Sequence, residues 1–183
     1  ENPNHTGDED YNWFLSVVFP AGQLKILPYN RVVRDLAGMD ESEFLEKLSK
    51  VCTVTQSGEK SPTAPNFVDM YLGKKWYTLK FENTSSLGAV EGLDVSLLQD
   101  RVLSPILKIG DPRTDERIDF VGGIRGTGEL EKLVDSGKFA VAFSMYPTTV
   151  AQLMDIADAG EIMPPKSTWF EPKLRSGLFV HTF

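Results

Sequence analysis

Eleven residues near the end of the chain, Met163 to Lys173, hold the densest set of side chains able to do chemistry. Pro164, Pro165 and Pro172 fix their own φ, lack an N–H and push the preceding residues toward extended geometry, so a stiff non-helical loop is expected between them. On that loop Lys166 and Lys173, with Arg175 just beyond, supply positive charge. The hydroxyls of Ser167 and Thr168, with nearby backbone N–H groups, can bond phosphate or carboxylate oxygens. Trp169 can cover a ring or fill the edge of a core. The alternative is a surface connection pinned by its Trp and Phe, with the charges solvated.

Other constellations are weaker. Ile118 to Val121 reads as a short strand, followed by Gly122-Gly123-Ile124-Arg125-Gly126-Thr127-Gly128 and a helix from Glu129. That arrangement can turn backbone N–H groups toward a phosphate, and Gly122 and Gly123 are its candidates. The spacing matches neither GxGxxG nor GxxxxGK[ST], so a plain connection remains open. Asn30 and Arg31 follow Pro28-Tyr29 and can project from a strand end toward a ligand, or Asn30 can cap a helix. Asp111, Asp115 and Asp119 with Arg113 and Arg117 suit an ion-pair network or a Mg²⁺ site, the solvated reading being the plainer. Cys52 sits in a strand-like run as a small buried hydrophobe. With only His5 and His181 and no paired-His spacing, no metal centre is expected, and His181 reads as a core or edge histidine.

The chain has 183 residues, enough for one domain with a sizeable core. It carries 26 acidic and 19 basic residues, a formal net charge of −7. An acidic field disfavours direct DNA contact and membrane-surface binding. No apolar run of about 18 residues is present and the start is polar, so a cytoplasmic protein without a membrane span is expected. The chain begins at Glu1 rather than Met, which suggests the later part of a longer protein.

The elements that must position these groups follow from periodicity. Residues 1–10 read as a tether, and residues 11–183 as a single domain. Tyr11–Phe19 and Leu24–Leu27 about Pro20-Ala21-Gly22-Gln23 give a hairpin signal, and Val68–Leu72 and Trp76–Phe81 about Gly73-Lys74-Lys75 give another. Asp40 with Glu43 makes a capping box for a helix carrying Phe44, Leu45 and Leu48. Asp94 is expected to cap the longest helix, Val95–Ile109, with Pro105 as a kink. Phe139–Phe143 reads as a buried strand, Thr148–Ala159 as a helix and Gly177–Phe183 as a final strand. The expected class is α+β: a mainly antiparallel sheet built from hairpins, with about four helices packed against it.

Three blocks together resemble a known family: Leu27-Pro28-Tyr29-Asn30-Arg31-Val32-Val33, Asp111 to Gly123, and Met163 to Lys173. They are similar, in this order, to the later part of the bacterial and archaeal domain-of-unknown-function family numbered 1015, often labelled ParB-like. The resemblance implies an upstream domain in the same protein with an Ala-Asp-Gly-His-His-Arg segment like that of ParB-like nucleotide-hydrolysing domains and free-serine kinases. This sequence has no such segment. It further implies a companion domain lending Lys166, Ser167, Thr168, Lys173, Arg31 and the glycine turn to a phosphate or carboxylate ligand, with ATP or ADP and Mg²⁺ as cofactors of the intact protein. A non-catalytic regulatory or partner-binding domain is the alternative.

Overall fold

A computed structural model of the chain describes residues 3–173, 175 and 177–182. It divides into two compact units, Ile26–Trp169 and Glu1–Lys25 with Phe170–Phe183. The strands are β1 (Lys25–Leu27), β2 (Tyr29–Val33), β3 (Thr53–Ser57), β4 (Phe67–Leu72), β5 (Lys75–Lys80), β6 (Ile118–Gly122), β7 (Val141–Met145) and β8 (Trp169–Glu171). Four α-helices are present among the described residues: α1 (Glu41–Leu48), α2 (Asp94–Leu98), α3 (Thr127–Asp135) and α4 (Val150–Asp158). Six strands form one sheet in the order β3-β5-β4-β7-β2-β6, every described neighbour pair antiparallel, and β1 pairs with β8 in a second sheet. The protein is α+β, as expected.

The Ile26–Trp169 unit is organised by the two faces of that sheet. Residues directly opposite in antiparallel register share a face. One face carries Val33, Val68, Met70, Leu72, Leu79 and Phe143, and packs with Phe44 and Leu48 of α1, the segment Leu93–Ile109 and Ile156 of α4. The other carries Val32, Tyr71, Trp76, Val121 and Ala142 beneath Leu130 of α3. Polar ties fix α3 as well: Trp76 Nε1 donates to Glu131 at 2.8 Å and Tyr71 Oη donates to Asp135 at 3.0 Å. Helix starts follow the local code, with complete capping boxes at Asp40/Glu43 and at Thr149/Gln152.

Three expectations in this unit are corrected. The long helix Val95–Ile109 is instead α2, a π turn over Gln99–Leu103 and further turns. Pro105 has no N–H for the ladder, and the Ser104 N–H reaches back to Gln99 rather than to residue 100, at 2.9 Å. Asp94 is not the N-cap. Leu93 holds that position, and the Asp94 carboxylate accepts the Asn66 N–H at 2.5 Å. Helix α3 also begins two residues early, at Thr127, because Gly126 takes φ +70° and turns the chain into it.

In the other unit the expected Tyr11–Phe19 strand is absent. Residues 13–19 form no regular structure, and Trp13, Phe14 and Val18 are exposed. An extended run becomes a strand only when a partner accepts its ladder, and Leu24–Leu27 is used otherwise, with only Lys25–Leu27 forming β1. The described residues of Gly177–Phe183 are turn and irregular backbone, and His181 is exposed, its Nε2 2.8 Å from the Asp10 carbonyl. Phe183 of that expected strand, Leu174 and Ser176 of the closing stretch, and Glu1 and Asn2 of the tether lie outside the described residues.

Burial pushes the Asp94 carboxyl up to about 6, while the Asn66 N–H opposes the shift. A folded pKa above the unfolded one means the folded state holds its proton longer. Stability therefore declines as pH rises through the window from about 4 to about 6, and the cost persists at neutral pH. Asp94→Asn keeps an acceptor for Asn66 without the charge. It is expected to be more stable than the parent by about 2 kcal/mol at pH 7, shrinking toward zero near pH 4, as read by urea denaturation at the two pH values.

Candidate functional site

Strand β2 is the element that builds the site. Val32 and Val33 are fully buried, so the strand is locked between β7 and β6, and Arg31 is carried inward with them at 4% exposure. Arg31 stands opposite Phe120 on β6 and Phe143 on β7. Its guanidinium lies 5.6 Å from the Phe120 ring centroid. Nη1 donates to the Tyr29 carbonyl and Nη2 donates to the Lys166 carbonyl at 3.0 Å. Among the described residues it has no ion pair with a carboxylate. Desolvation pushes its pKa down to about 10, low for arginine and still charged at neutral pH.

The Lys166 carbonyl is held in place by its own loop. After α4 the chain turns at Gly160, φ +69°, and runs through Met163-Pro164-Pro165. Ser167 Oγ donates to the Pro164 carbonyl at 2.6 Å, and Thr148 Oγ1 donates to the Ser167 carbonyl at 3.1 Å. Lys166 itself adopts φ +58° and sets Nζ 5.5 Å from the centre of the Tyr29 ring. Tyr29 meets Phe120 and Trp169 edge-on, at 5.9 and 5.3 Å. That aromatic group closes one side of the loop.

Next to Arg31 is a cavity of about 520 Å³. Val95, Leu103, Ile118, Phe120, Met163 and the two prolines give it apolar walls; Ser96, Gln99, Asp100 and the Asp111–Arg113 pair give it polar ones. Arg113 grips Asp111 at 2.8 Å, holding that carboxyl down at about 2, so this pair is already neutralised. Arg31 is the buried charge facing the space.

Of the residues singled out by type as anion ligands, Arg31 lines this cavity, and Asp111 and Arg113 of the charged turn line it with Arg31. Lys166 meets Arg31 through its carbonyl, and the Ser167 hydroxyl is occupied within the loop. Thr168 is half-buried beside them. The Asn30 carboxamide oxygen accepts the Met145 N–H at 2.9 Å. Gly122 and Gly123 make close packing: a Cβ on Gly122 would lie 2.4 Å from the Trp169 ring, one on Gly123 2.6 Å from Pro28, and the Gly123 N–H already donates to the Pro28 carbonyl. Lys173 belongs to the other unit. Of the acids and arginines of 111–119, Asp111 pairs with Arg113 and Asp115 with Arg117, which also meets Asp35, while Asp119 accepts the Phe120 N–H. Among the described residues no group of three or more His, Cys, Asp or Glu is placed to hold a metal. Cys52 is buried, and burial pushes its thiol up to about 11, a poor nucleophile. The cavity walls on Ser96, Gln99 and Leu103 were missed. Their signal is the apolar and polar alternation of the 93–109 segment, in which Pro105 is the one visible irregularity.

This arrangement belongs to a recognisable family. The profile described as Protein of unknown function (DUF1015) matches residues 1–96, just over half of the chain, and the chain belongs to that family. Among solved structures it is similar to a free serine kinase in complex with AMP, at 16% identity and TM-score 0.50, over 82% of this chain and 55% of that one. A mutant of that kinase in complex with ADP gives 17% and 0.49, over the same shares. A conserved hypothetical protein from Pyrococcus furiosus gives 15% and 0.49, over 81% of this chain and 56% of that one. The chain spans about half the length of these solved proteins, and the likeness is one of fold. No curated protein matches it. No helix among the described residues is long and apolar enough to cross a membrane.

The Gly122 contact is testable. Gly122→Ala is expected to lower stability by about 2 kcal/mol and to shift Trp fluorescence as Trp169 moves. Gly128→Ala, in helix α3 with open space around it, is expected to raise stability by about 0.8 kcal/mol in the same denaturation series.

Proposed function

We propose that the chain is the ligand-gripping half of a small-molecule phosphotransferase of the free-serine-kinase type, with Arg31 anchoring an anionic group. The observation carrying this reading is a buried guanidinium, still charged and without a carboxylate partner among the described residues, at the wall of a cavity the size of a small-ligand site. A buried cation whose hydrogen-bond partners among the described residues are two carbonyls has room for an anion, and Arg binds phosphate or carboxylate with two parallel bonds. The apolar walls suit a ring such as a purine. Lys166 beside Tyr29 adds a second cation at the rim of the loop. The kinase-like fold and the AMP and ADP bound to the free serine kinase support a nucleoside phosphate as the anion.

Among the described residues no group of three or more His, Cys, Asp or Glu is placed to hold Mg²⁺. Positioned cations stabilise phosphoryl transfer by meeting the charge on the transferring oxygens, and that is the part assigned to this chain. Direct DNA contact remains disfavoured by the net charge of −7.

Calorimetric titration of the chain with AMP, ADP and inorganic phosphate tests the site. The parent should saturate; Arg31→Lys should bind at least about tenfold more weakly, and Arg31→Gln not measurably, with circular dichroism confirming the fold. Equal binding by folded variants contradicts the assignment. Phosphorus NMR with ADP or ATP, Mg²⁺ and serine tests the companion role: this chain by itself should form no phosphate ester, and ester formation would make it a complete enzyme.

A second reading, a partner-binding module, is favoured by the exposed Trp13, Phe14 and Val18. No binding of any of the three ligands, with self-association of the chain lost in Phe14→Ser, would favour it.

A further inference from the structure

The sheet face opposite Arg31 holds a second unsatisfied charge of the other sign. Asp69 on β4 stands opposite Thr78 on β5 and Ser144 on β7, whereas Met70 and Phe143 share the face of Arg31. Asp69 is 1% exposed. Thr78 Oγ1 lies 2.6 Å from Asp69 Oδ1 and 3.1 Å from Ser57 Oγ. One hydroxyl has one proton, so the chain runs Ser57 to Thr78 to Asp69, with the shorter bond ending on the carboxylate. The other oxygen, Oδ2, is buried and has no partner, the one such side-chain atom among the described residues. Buried carboxylate oxygens are rarely left so, because desolvation without a bond is costly.

Asp69 lines a pocket of about 260 Å³, together with Glu59, Ser61, Thr63, Phe67 and Thr78. Burial raises the Asp69 pKa, Thr78 opposes that, and Glu59 adds to it; the residues lining the pocket include these two acids and no base. Lys60, the neighbouring base in sequence, is engaged with Glu131 at 2.9 Å on α3. No third acid completes a metal cluster. A primary ammonium needs three acceptors and tolerates an aromatic face, and this pocket offers two carboxylates, hydroxyls and a phenyl ring.

We infer that the Asp69 pocket is a binding site for the primary ammonium group of a small molecule, with Asp69 Oδ2 as the principal acceptor and Glu59 as the second. The site stands apart from the Arg31 cavity and does not depend on the reading given to it.

The probe is ethanolamine, followed by NMR of the Thr78 and Asp69 amides, with ethylene glycol as the uncharged isostere and MgCl₂ and KCl as metal arms. Ethanolamine should give saturable shifts and ethylene glycol none. Asp69→Asn should weaken binding at least tenfold and Glu59→Gln several-fold. Glu59→Gln lies on an exposed loop and keeps the test decisive should Asp69→Asn fail to fold. Saturation by Mg²⁺ or K⁺ with no response to ethanolamine overturns the inference. So does the absence of any response, which would leave Oδ2 to a bound water, or unchanged ethanolamine binding in both variants.

Discussion

A guanidinium with no carboxylate partner among the described residues, sealed between strands, is the constraint around which this structure is arranged. Taking a cation out of water costs several kcal/mol unless its surroundings restore what hydration supplied. For Arg31 they restore it in part, through the Tyr29 and Lys166 carbonyls and the face of Phe120. One of those carbonyls comes from a loop 135 residues away in sequence. That loop must therefore be held to within hydrogen-bonding tolerance, and Ser167, Thr148 and the two prolines hold it. Trp169 can lie along β6 only because position 122 has no side chain. The cation, the loop and the glycine are thus one interdependent unit rather than a list of ligands.

The two faces of the six-stranded sheet divide the remaining work. One buries most of the core and opens beside Arg31 into the cavity. The other buries a smaller apolar cluster under α3 and carries Asp69 with its hydroxyl chain. Each face thus shelters one charge of opposite sign that the described protein leaves incompletely matched. Such groups lower stability, and a ligand that binds only the folded form would return it. The π turn ahead of Pro105 interrupts the helix that α2 begins, and its Gln99 and Leu103 line the cavity with Ser96 of α2.

Much of the scaffold could be read from sequence because its causes are local. The β4–β5 hairpin follows from alternation about Gly73, the α1 start from Asp40 with Glu43, and α4 from Thr149 with Gln152. What failed depended on partners. Tyr11–Phe19 has strand composition but forms no ladder in this chain, and the final apolar run likewise. The Leu93–Ile109 segment has a helical apolar face, yet one missing N–H shifts its register. The site was legible as residue types, not as roles. Arg31 was named for projecting from a strand end, and its burial, which gives it force, comes from a register no local pattern reveals. The hydroxyl of Ser167 and the backbone of Gly122 and Gly123 look like phosphate ligands in sequence and are engaged in positioning the loop instead. Asp69 gave no signal, since a single acid in an alternating strand reads as its solvent face.

The most direct measurement is NMR of the Arg31 side-chain nitrogens as the chain is titrated with AMP. The account predicts that the Arg31 guanidinium resonances are resolved and slowly exchanging in the free protein, then shift to saturation as the phosphate joins the two carbonyls. Resonances unmoved at saturating AMP would contradict the claim that this buried charge is kept for an anion.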